Sequence, residues 1–312
     1  MRSSITAGQS WIDDVHRAAH AVRRRVLDHT IKNNGGYLSQ ACSSAETLAT
    51  LYLRVMRLGP SVSPRIPPPF PGVPKPGRET YTGAGYNGAH APELDRLYFS
   101  AVHYALPLYA TLIETGRMDE QGLEQFNRDG STVEMIGAEH SPGLELTGGS
   151  LGQTLSQAGG VALARRLRGD SGRQWVYMSD GEFQSGQTWE AVQALTYHKI
   201  DNLTAYVDVN GQQCDGKMTD VMNIEPLQSR LEAFGARVVP ADGHDPEQLA
   251  APAELTPDGR PLFVLAYTNP CQGMPLLEQR RPKLHYVRFK SDAERAEYQA
   301  MLREMSAPTS GG

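Results

Sequence analysis

The sequence predicts an α/β protein in which a parallel sheet carries helices on both faces. After Gly148-Gly149, short apolar runs rich in β-branched or aromatic residues alternate with segments of helical periodicity. Strand, helix and strand at this spacing are typical of such a sheet, whose ligands bind beyond the carboxyl ends of the strands. The predicted strands are 175–178, 203–209, 237–239 and 262–267, and the predicted helices between them are 151–167, 187–198 and 227–234.

Further helices are predicted outside this alternating region. Residues 10–31 carry apolar side chains at helical spacing, and the Asn- and Gly-rich residues 33–36 end the pattern. Ser43 or Ser44 can cap a second helix that runs through residues 45–55. At the other end of the chain, residues 291–304 predict a charged surface helix, and residues 307–312 predict a disordered tail.

A proline-rich segment interrupts the predicted secondary structure. Residues 60–76 contain eight prolines, which exclude a helix or strand interior because proline lacks an N–H group. The segment therefore predicts a long extended loop at about residues 59–94. It could bind a partner as a polyproline helix, but we favour an ordered surface excursion. We expect one domain over residues 1–290 that carries this loop, followed by a C-terminal helix and flexible tail over residues 291–312.

Composition and charge exclude several classes of function. The 312 residues are 39% hydrophobic and 21% charged, which is ordinary for a globular protein. A net charge of −5 gives no electrostatic basis for binding nucleic acid or an anionic membrane. The three cysteines form no C-x-x-C pair, and neither a signal peptide nor an apolar membrane-spanning stretch is visible. We therefore expect a reduced, cytoplasmic protein with no nucleic-acid or membrane partner.

Polar residues stand at the ends of two consecutive predicted strands. Ser179-Asp180-Gly181 follows the first strand and Asn210 ends the next, with 28 residues between Gly181 and Asn210. Either half alone is a weak signal, because an Asp-Gly after a strand is more often a turn. Together they place a carboxylate and an amide at neighbouring strand ends, where Mg²⁺ can take a few protein oxygens together with phosphate oxygens. The arrangement therefore suits the anchoring of a diphosphate.

The order of strand, Asp-Gly, helix, strand and Asn resembles the diphosphate motif of thiamine-diphosphate enzymes. Residues 179–216 look specifically like the transketolase family, and the likeness extends over about residues 35–285 without the proline-rich loop. It implies the thiamine-diphosphate-binding fold, in which this chain would form the diphosphate-binding domain. It also implies Mg²⁺ (or Ca²⁺ or Mn²⁺) held by Asp180, Asn210 and the backbone carbonyl of Gln212. Ser179 and Gly181 would then lie against the cofactor.

A glycine loop at residues 147–153 supports the same resemblance. Its Thr-Gly-Gly-Ser-Leu-Gly-Gln sequence resembles the family's T-G-S-L-G-Q loop, and backbone amides at the start of a helix can face anionic oxygens. The resemblance implies that Gly149 approaches the cofactor and that Leu151 packs on its aminopyrimidine ring. Without the metal motif beside it, a loop needed only for close packing would be an equally good interpretation.

Two histidines and a glutamate complete the predicted site. His103, in residues 100–105, resembles the family histidine on the thiazolium side, and His285, in residues 282–285, resembles the one that contacts cofactor phosphate and bound substrate. Histidine can donate to a diphosphate or shuttle protons to a substrate hydroxyl, so both are predicted to be catalytic. Glu190 is also predicted to be catalytic, since family carboxylates in its neighbourhood couple two active sites across a dimer.

The chain departs from the family pattern at several polar positions. Tyr37 stands where a catalytic histidine is expected, and a phenol cannot act as a base near neutral pH without a large pKa shift. Residues 136–140 give no clean match to a family histidine, although His140 is a candidate. Ser185 replaces an acidic residue, and residues 266–273 lack two family lysines. These changes predict an altered substrate and weaken the expectation of coupled active sites.

The resemblance also predicts that this chain needs a partner. In the family, the glutamate that activates the cofactor lies on a second α/β domain, which we expect here on a companion chain, in an α2β2 heterotetramer. The predicted reaction is transfer of a two-carbon ketol or acyl unit from a sugar-phosphate or 2-oxo donor to an aldehyde. Two alternatives stay open: the decarboxylating first component of a 2-oxoacid dehydrogenase, and a non-catalytic subunit that holds the cofactor.

Overall fold

A five-stranded parallel sheet forms the centre of the protein. The computed structural model describes residues 10–73, 75–77 and 81–307. The strand order is β1-β2-β3-β7-β6, and a two-stranded antiparallel ribbon, β4-β5, follows β3. The predicted fold class is confirmed. The strands are β1 (Arg96–Phe99), β2 (Gln174–Ser179), β3 (Leu203–Val209), β4 (Gln212–Gln213), β5 (Gly216–Lys217), β6 (Arg237–Asp242) and β7 (Leu262–Tyr267).

All four predicted strands are present in the sheet. Two of them coincide with β3 and β7, while β2 is longer at both ends and β6 continues to Asp242. Strand β1 is absent from the prediction because it is short and begins at an arginine. Arg96 is nevertheless buried, since its guanidinium pairs with Glu145 and donates to the carbonyl oxygens of Gly88 and Ala84. A buried charge of this kind requires partners, which Glu145 and the two carbonyl oxygens supply.

Helices cover both faces of the sheet. The second helix begins at Leu38, so the predicted cap at Ser43 or Ser44 is wrong: both serines are buried inside the helix, and the Ser44 hydroxyl donates to the Gln40 carbonyl at 2.6 Å. Helix α4 begins later than predicted, because Gly152 has a positive φ of 84°. The helices are α1 (Trp11–Asn33), α2 (Leu38–Thr50), α3 (Ala105–Glu114), α4 (Thr154–Arg168), α5 (Gly186–Tyr197), α6 (Met218–Val221), α7 (Leu227–Ala233), α8 (Pro246–Ala250) and α9 (Asp292–Ser306).

The side chains of the sheet alternate between two apolar layers. Trp175 and Tyr177 pack on one side against α2, α3 and α8, whereas Val176 and Met178 pack on the other side against α4, α5 and α7. Helix α9 is not a purely surface helix, since its Tyr298 is buried in a third cluster with residues of α1. Within the described part of the chain, no helix is both long and apolar enough to cross a membrane. Residues 308–312 of the predicted tail lie outside the described residues.

The proline-rich segment has the predicted loop conformation in its described residues. Between residues 59 and 94 the regular structure consists of a short 3₁₀ turn (Gly83–Asn87) and an isolated bridge from Pro69 to Ser131. Arg117 donates to the carbonyl oxygens of Gly59 and Tyr86 at 3.1 and 2.8 Å. These hydrogen bonds hold the proline-rich loop against the surface of the domain.

Candidate functional site

A cavity of about 350 Å³ opens at the carboxyl ends of β2 and β3. Parallel strands direct their carboxyl ends to one edge of the sheet, so residues that are far apart in sequence meet there. The structure brings nearly all of the predicted site residues together around this cavity. They are His103, Gly149, Leu151, Ser179, Asp180, Gly181, Asn210, Gln212 and His285.

Asp180 is the buried carboxylate at the end of β2. One of its oxygens, Oδ2, accepts the N–H of Gly211 at 2.9 Å. The other, Oδ1, is buried and has no hydrogen-bond partner among the described residues. Burial, and secondarily the charge of Asp208, raises the pKa of the Asp180 carboxyl to about 8. An unpartnered buried carboxylate oxygen is costly, and a cation bound there would remove that cost.

Asn210 stands beside Asp180 at the end of β3. Its Nδ2 donates to the Tyr104 hydroxyl at 2.9 Å and to Asp208 at 3.0 Å, while its Oδ1 accepts the N–H of Gln212 at 2.9 Å. The described residues contain no cluster of three His, Cys, Asp or Glu side chains placed to hold a metal. The buried, unpartnered Oδ1 of Asp180 and the Asn210 amide oxygen are nevertheless oxygen donors that suit a hard cation such as Mg²⁺, which needs few protein oxygens when a diphosphate supplies others.

Asp208 orients Asn210, and the sequence analysis missed it. The buried Asp208 carboxylate accepts hydrogen bonds from the hydroxyls of Ser43, Tyr104 and Thr268 at 2.6, 2.7 and 2.5 Å, in addition to the Asn210 amide. Because Nδ2 of Asn210 is committed to this carboxylate, its Oδ1 is turned the other way. An aspartate inside an otherwise apolar strand was the available signal, since buried charges require partners.

Glu182 connects the glycine loop to the end of β2. Its buried carboxylate accepts the N–H of Ser179 at 3.0 Å, the N–H of Gly152 at 3.1 Å and the hydroxyl of Ser100 through a short hydrogen bond. Burial raises the pKa of Glu182. The sequence analysis missed this residue as well, although Ser179-x-x-Glu182 is the pattern of a capping box, which the structure contains.

The glycine loop forms the open side of the cavity. A Cβ atom added to Gly148 would lie 2.8 Å from a methyl carbon of Val102, so only glycine fits there. One added to Gly149 would meet no atom within 4 Å, which leaves room for a ligand. Leu151 is 42% exposed at the rim, an apolar side chain available to a ligand or another chain.

Aromatic rings line another part of the cavity, which we call its aromatic end. The ring centroids of His103 and His285 are 5.3 Å apart, and that of Tyr37 lies 6.1 and 5.4 Å from them. Burial, with a smaller contribution from His285, lowers the pKa of His103 to about 3, and burial also lowers the pKa of His285. The Gln40 amide nitrogen lies 3.2 Å from Nδ1 of His285 and can donate to it. Both imidazoles are therefore neutral at pH 7.

Some predicted residues do not reach the cavity. Glu190 is exposed on α5 and does not line the cavity. The structure therefore shows no direct contact between Glu190 and the cavity of its own chain. His140 packs against Phe70 with ring centroids 4.5 Å apart and does not line the cavity, whereas Ile136 of the same segment does. Ser185 lies near the glycine loop, since its Oγ would be 2.9 Å from a Cβ atom added to Gly152.

The fold and the cavity together define the class: an α/β domain whose strand ends carry the diphosphate motif of thiamine-diphosphate enzymes. Comparison with known proteins gives the family. Residues 85–285 match the thiamine diphosphate binding domain of transketolase. A transketolase family protein of Sinorhizobium fredii is 35% identical over 278 residues, covering 87% of this chain and 89% of the relative. The chain therefore belongs to the transketolase family.

Other relatives are named as subunits. The 6-deoxy-6-sulfo-D-fructose transketolase subunit SqwG of a Clostridium species is 30% identical over 82% of this chain and 84% of its own length. A subunit of the apulose-4-phosphate transketolase from Actinobacillus succinogenes is 29% identical over 90% of this chain and 93% of its own length. This chain thus aligns with relatives named as transketolase subunits along nearly their whole length.

Solved structures show the same fold at low sequence identity. The transketolase of Campylobacter jejuni superposes with a TM-score of 0.66 and 20% identity, covering 95% of this chain but 47% of that one. The transketolase of Leishmania mexicana gives a TM-score of 0.65 and 20% identity, over 94% of this chain and 45% of its own. The chain thus spans about half the length of these solved transketolases.

Proposed function

We propose that this chain holds thiamine diphosphate through a divalent cation and works with a companion chain in a two-chain transketolase. The observation that carries the proposal is the unpartnered buried Oδ1 of Asp180 beside the oriented amide of Asn210. Asp180, Asn210 and the backbone carbonyl of Gln212 would hold the cation, which neutralises a diphosphate that the carboxylate alone would repel. The ion is Mg²⁺, with Ca²⁺ or Mn²⁺ as substitutes.

As a transketolase-family subunit, the chain serves thiamine-diphosphate-dependent transfer of a two-carbon unit. When bound, the cofactor would supply the carbanion chemistry that two-carbon transfer requires. Gly149 leaves the space in which the cofactor is received, and Leu151 offers an apolar contact to its ring. Ser179 and Gly181 lie beside Asp180 at the diphosphate end. The neutral imidazoles of His103 and His285 can donate hydrogen bonds to substrate hydroxyls and relay their protons.

The requirement for a companion chain is supported by the naming of the relatives. Relatives that match this chain over nearly their whole length are named as subunits. We assign to the companion the glutamate that activates the cofactor, in an α2β2 assembly. The exposed Glu190 is then available to a second copy of either chain rather than to its own cavity.

The substrate class follows from the relatives and from Tyr37. The names of two relatives contain a phosphate and a sulfo group, so a ketose carrying an anionic group is the donor or acceptor that we propose. The Tyr37 ring lies beside both histidines and occupies space in the aromatic end of the cavity that a smaller side chain would leave open. Because the family resemblance implies a histidine at this position, the tyrosine ring supports a different substrate.

Reconstitution with the companion chain tests the proposal. The complex should transfer a two-carbon unit from a ketose phosphate to an aldehyde, should require thiamine diphosphate and Mg²⁺, and should release no CO₂ from pyruvate. An Asp180→Ala complex that associates normally should be inactive. Pyruvate decarboxylation without ketol transfer would contradict the proposed reaction. Full turnover in the Asp180→Ala complex would contradict the proposed cation site.

A further inference from the structure

A second, cationic cavity lies where residues 279–290 meet the start of α9. It measures about 640 Å³ and is separate from the cofactor cavity. Two carboxylates, Glu294 and Glu297, also line it. The cavity is rich in positive charge, although the chain as a whole has a net charge of −5. The lining cations are Arg280, Arg281, Lys283, Arg288 and Lys290.

Part of this positive charge has no carboxylate partner within the described residues. Arg280 pairs with Glu294, and Arg281 pairs with Glu278 outside the cavity lining. The other three cations, Lys283, Arg288 and Lys290, are exposed and form no ion pair among the described residues. Glu297 forms none there either, so the cavity retains an excess of positive charge. A concave surface lined by one sign of charge concentrates ions of the opposite sign.

The cationic cavity adjoins the aromatic end of the cofactor cavity. Tyr286 lines the cationic cavity, and its ring centroid is 4.9 Å from that of Tyr37, which lines the cofactor cavity. On the other side, the Arg288 guanidinium carbon lies 5.6 Å from the Tyr286 ring centroid. The Arg288 guanidinium therefore lies next to Tyr286, whose ring contacts Tyr37 beside His285.

The segment that carries these groups is fixed to the domain. Val287 and Gly36 exchange backbone hydrogen bonds of 2.9 and 3.1 Å. The carbonyl of Leu284 accepts the Ser39 hydroxyl at 3.0 Å, and that of His285 accepts the Gln40 amide at 3.1 Å. The cations thus extend from a positioned backbone rather than from a free tail.

We propose that Lys283, Arg288 and Lys290 bind the anionic end of the sugar substrate, a phosphate or a sulfonate, next to the aromatic end of the cofactor cavity. The substrate class rests on the proposed function; the anion site itself does not. Guanidinium and ammonium groups bind both kinds of anion, and a guanidinium can do so through two parallel hydrogen bonds. The unpaired cations would raise the local concentration of such a substrate over a distance of about 10 Å at moderate salt.

Binding of simple anions to the full chain is the first test. At low salt, inorganic phosphate or methanesulfonate should cause saturable NMR shifts in the backbone amides of residues 280–290. The double variant Lys283→Gln/Arg288→Gln should bind at least about tenfold more weakly. Arg303→Gln removes an exposed cation of α9 outside the cavity lining and should bind as the wild type does. Tighter binding of one probe identifies the anion as phosphate or sulfonate. Absence of saturable binding, or equal binding by the double variant, would overturn the proposal.

The second test uses the complex with the companion chain. The double variant should lower kcat/KM for a phosphorylated ketose by about tenfold and weaken its salt dependence, without changing kcat/KM for the unphosphorylated ketose. If the double variant instead binds the companion chain more weakly while its phosphate titration is unchanged, the cavity is a subunit contact and the proposal is overturned. If the complex shows no two-carbon transfer but the double variant loses phosphate binding, the anion site stands and the proposed function fails.

Discussion

The two ends of the cofactor cavity are built in different ways. At the diphosphate end, Asp180 and Asn210 are held by hydrogen bonds, and Asn210 is oriented by the fully bonded carboxylate of Asp208. At the aromatic end, Tyr37, His103 and His285 meet mainly through ring contacts at 5.3–6.1 Å between centroids. The first end is thus fixed by directional bonds, whereas the second is fixed by packing.

We expect this difference to allow the substrate to change while the cofactor site is kept. A directional network tolerates few changes, because removing one member leaves a buried donor or acceptor unsatisfied. Ring packing tolerates replacement by another ring of similar volume. The resemblance seen in the sequence matches Asp180 and Asn210 to the transketolase pattern at the diphosphate end and predicts a departure from it at Tyr37, in the aromatic end. The predictions below test whether the two ends can be altered separately.

The largest effect is expected from Asp180→Ala at the diphosphate end. Removing the carboxylate should weaken Mg²⁺-dependent binding of thiamine diphosphate by more than about 100-fold. Mutation of residues that only hydrogen-bond to a metal ligand already lowers metal affinity by about 10- to 100-fold. Isothermal titration calorimetry on the full chain measures this. Asp220→Ala, which removes an exposed carboxylate of the nearby helix α6, serves as control and should leave the affinity unchanged. Wild-type affinity in Asp180→Ala would show that the diphosphate binds elsewhere.

Asp208→Asn should have the next largest effect, although Asp208 lies behind the cavity lining. The new amide group would face hydroxyls that now donate to a carboxylate, so cofactor affinity should fall by about 10- to 100-fold and stability by about 1–3 kcal/mol. Titration calorimetry and urea unfolding separate the two losses. Tyr104→Phe, which removes one of the donors, should lose less of both. A stability loss with unchanged cofactor affinity would make Asp208 structural and not a positioning residue.

Tyr37→His should change the substrate preference but not the affinity for the cofactor. We expect cofactor affinity to stay within about twofold, while kcat/KM for a phosphorylated ketose changes about three- to tenfold, because an altered side chain in a specificity pocket contributes about 1 kcal/mol. Tyr37→Phe keeps the ring without its hydroxyl and separates the effects of shape and hydrogen bonding. A large loss of cofactor affinity in Tyr37→His would mean that the two ends are coupled after all.

The smallest effect concerns the pH dependence of stability at the aromatic end. Burial lowers the pKa of His103, so the folded protein favours the neutral ring. The contribution of the neutral His103 ring to the free energy of unfolding is complete above the ordinary histidine pKa of about 6.5. It is lost as the pH falls towards the pKa of His103 in the folded protein. When the pH falls from 7 to 5, the His103→Gln variant should lose about 1 kcal/mol less stability than the wild type. This value is smaller than the full pKa shift implies, because the ring is partly exposed to solvent.

Urea unfolding of the metal-free chain at both pH values measures this difference. His198→Gln, at an exposed histidine where α5 ends, is the matched control and should leave the slope unchanged. An equal slope in wild type and His103→Gln would mean that the His103 ring is solvated in both states.

The sequence alone determined the architecture and one end of the site. Hydrophobic periodicity gave four of the five sheet strands, and the strand-end positions of Asp180 and Asn210 gave the diphosphate end, because parallel strands carry their ends to one edge. Sequence analysis missed β1, whose buried Arg96 depends on partners from distant loops. It also placed the start of α2 too late, because the burial of that helix against its neighbours is a tertiary property.

What only the tertiary structure decided is how the two ends of the cavity are held. Hydrogen bonds to the Asp208 carboxylate join residues of α2, β3 and the end of β7, and no local pattern predicts such contacts between distant segments. Likewise, the exposure of Glu190 and the displacement of His140 from the cavity depend on how α5 and the proline-rich loop pack. Motifs fix which groups lie at a strand end, whereas long-range packing fixes their orientation, since side-chain direction depends on neighbours from the whole chain.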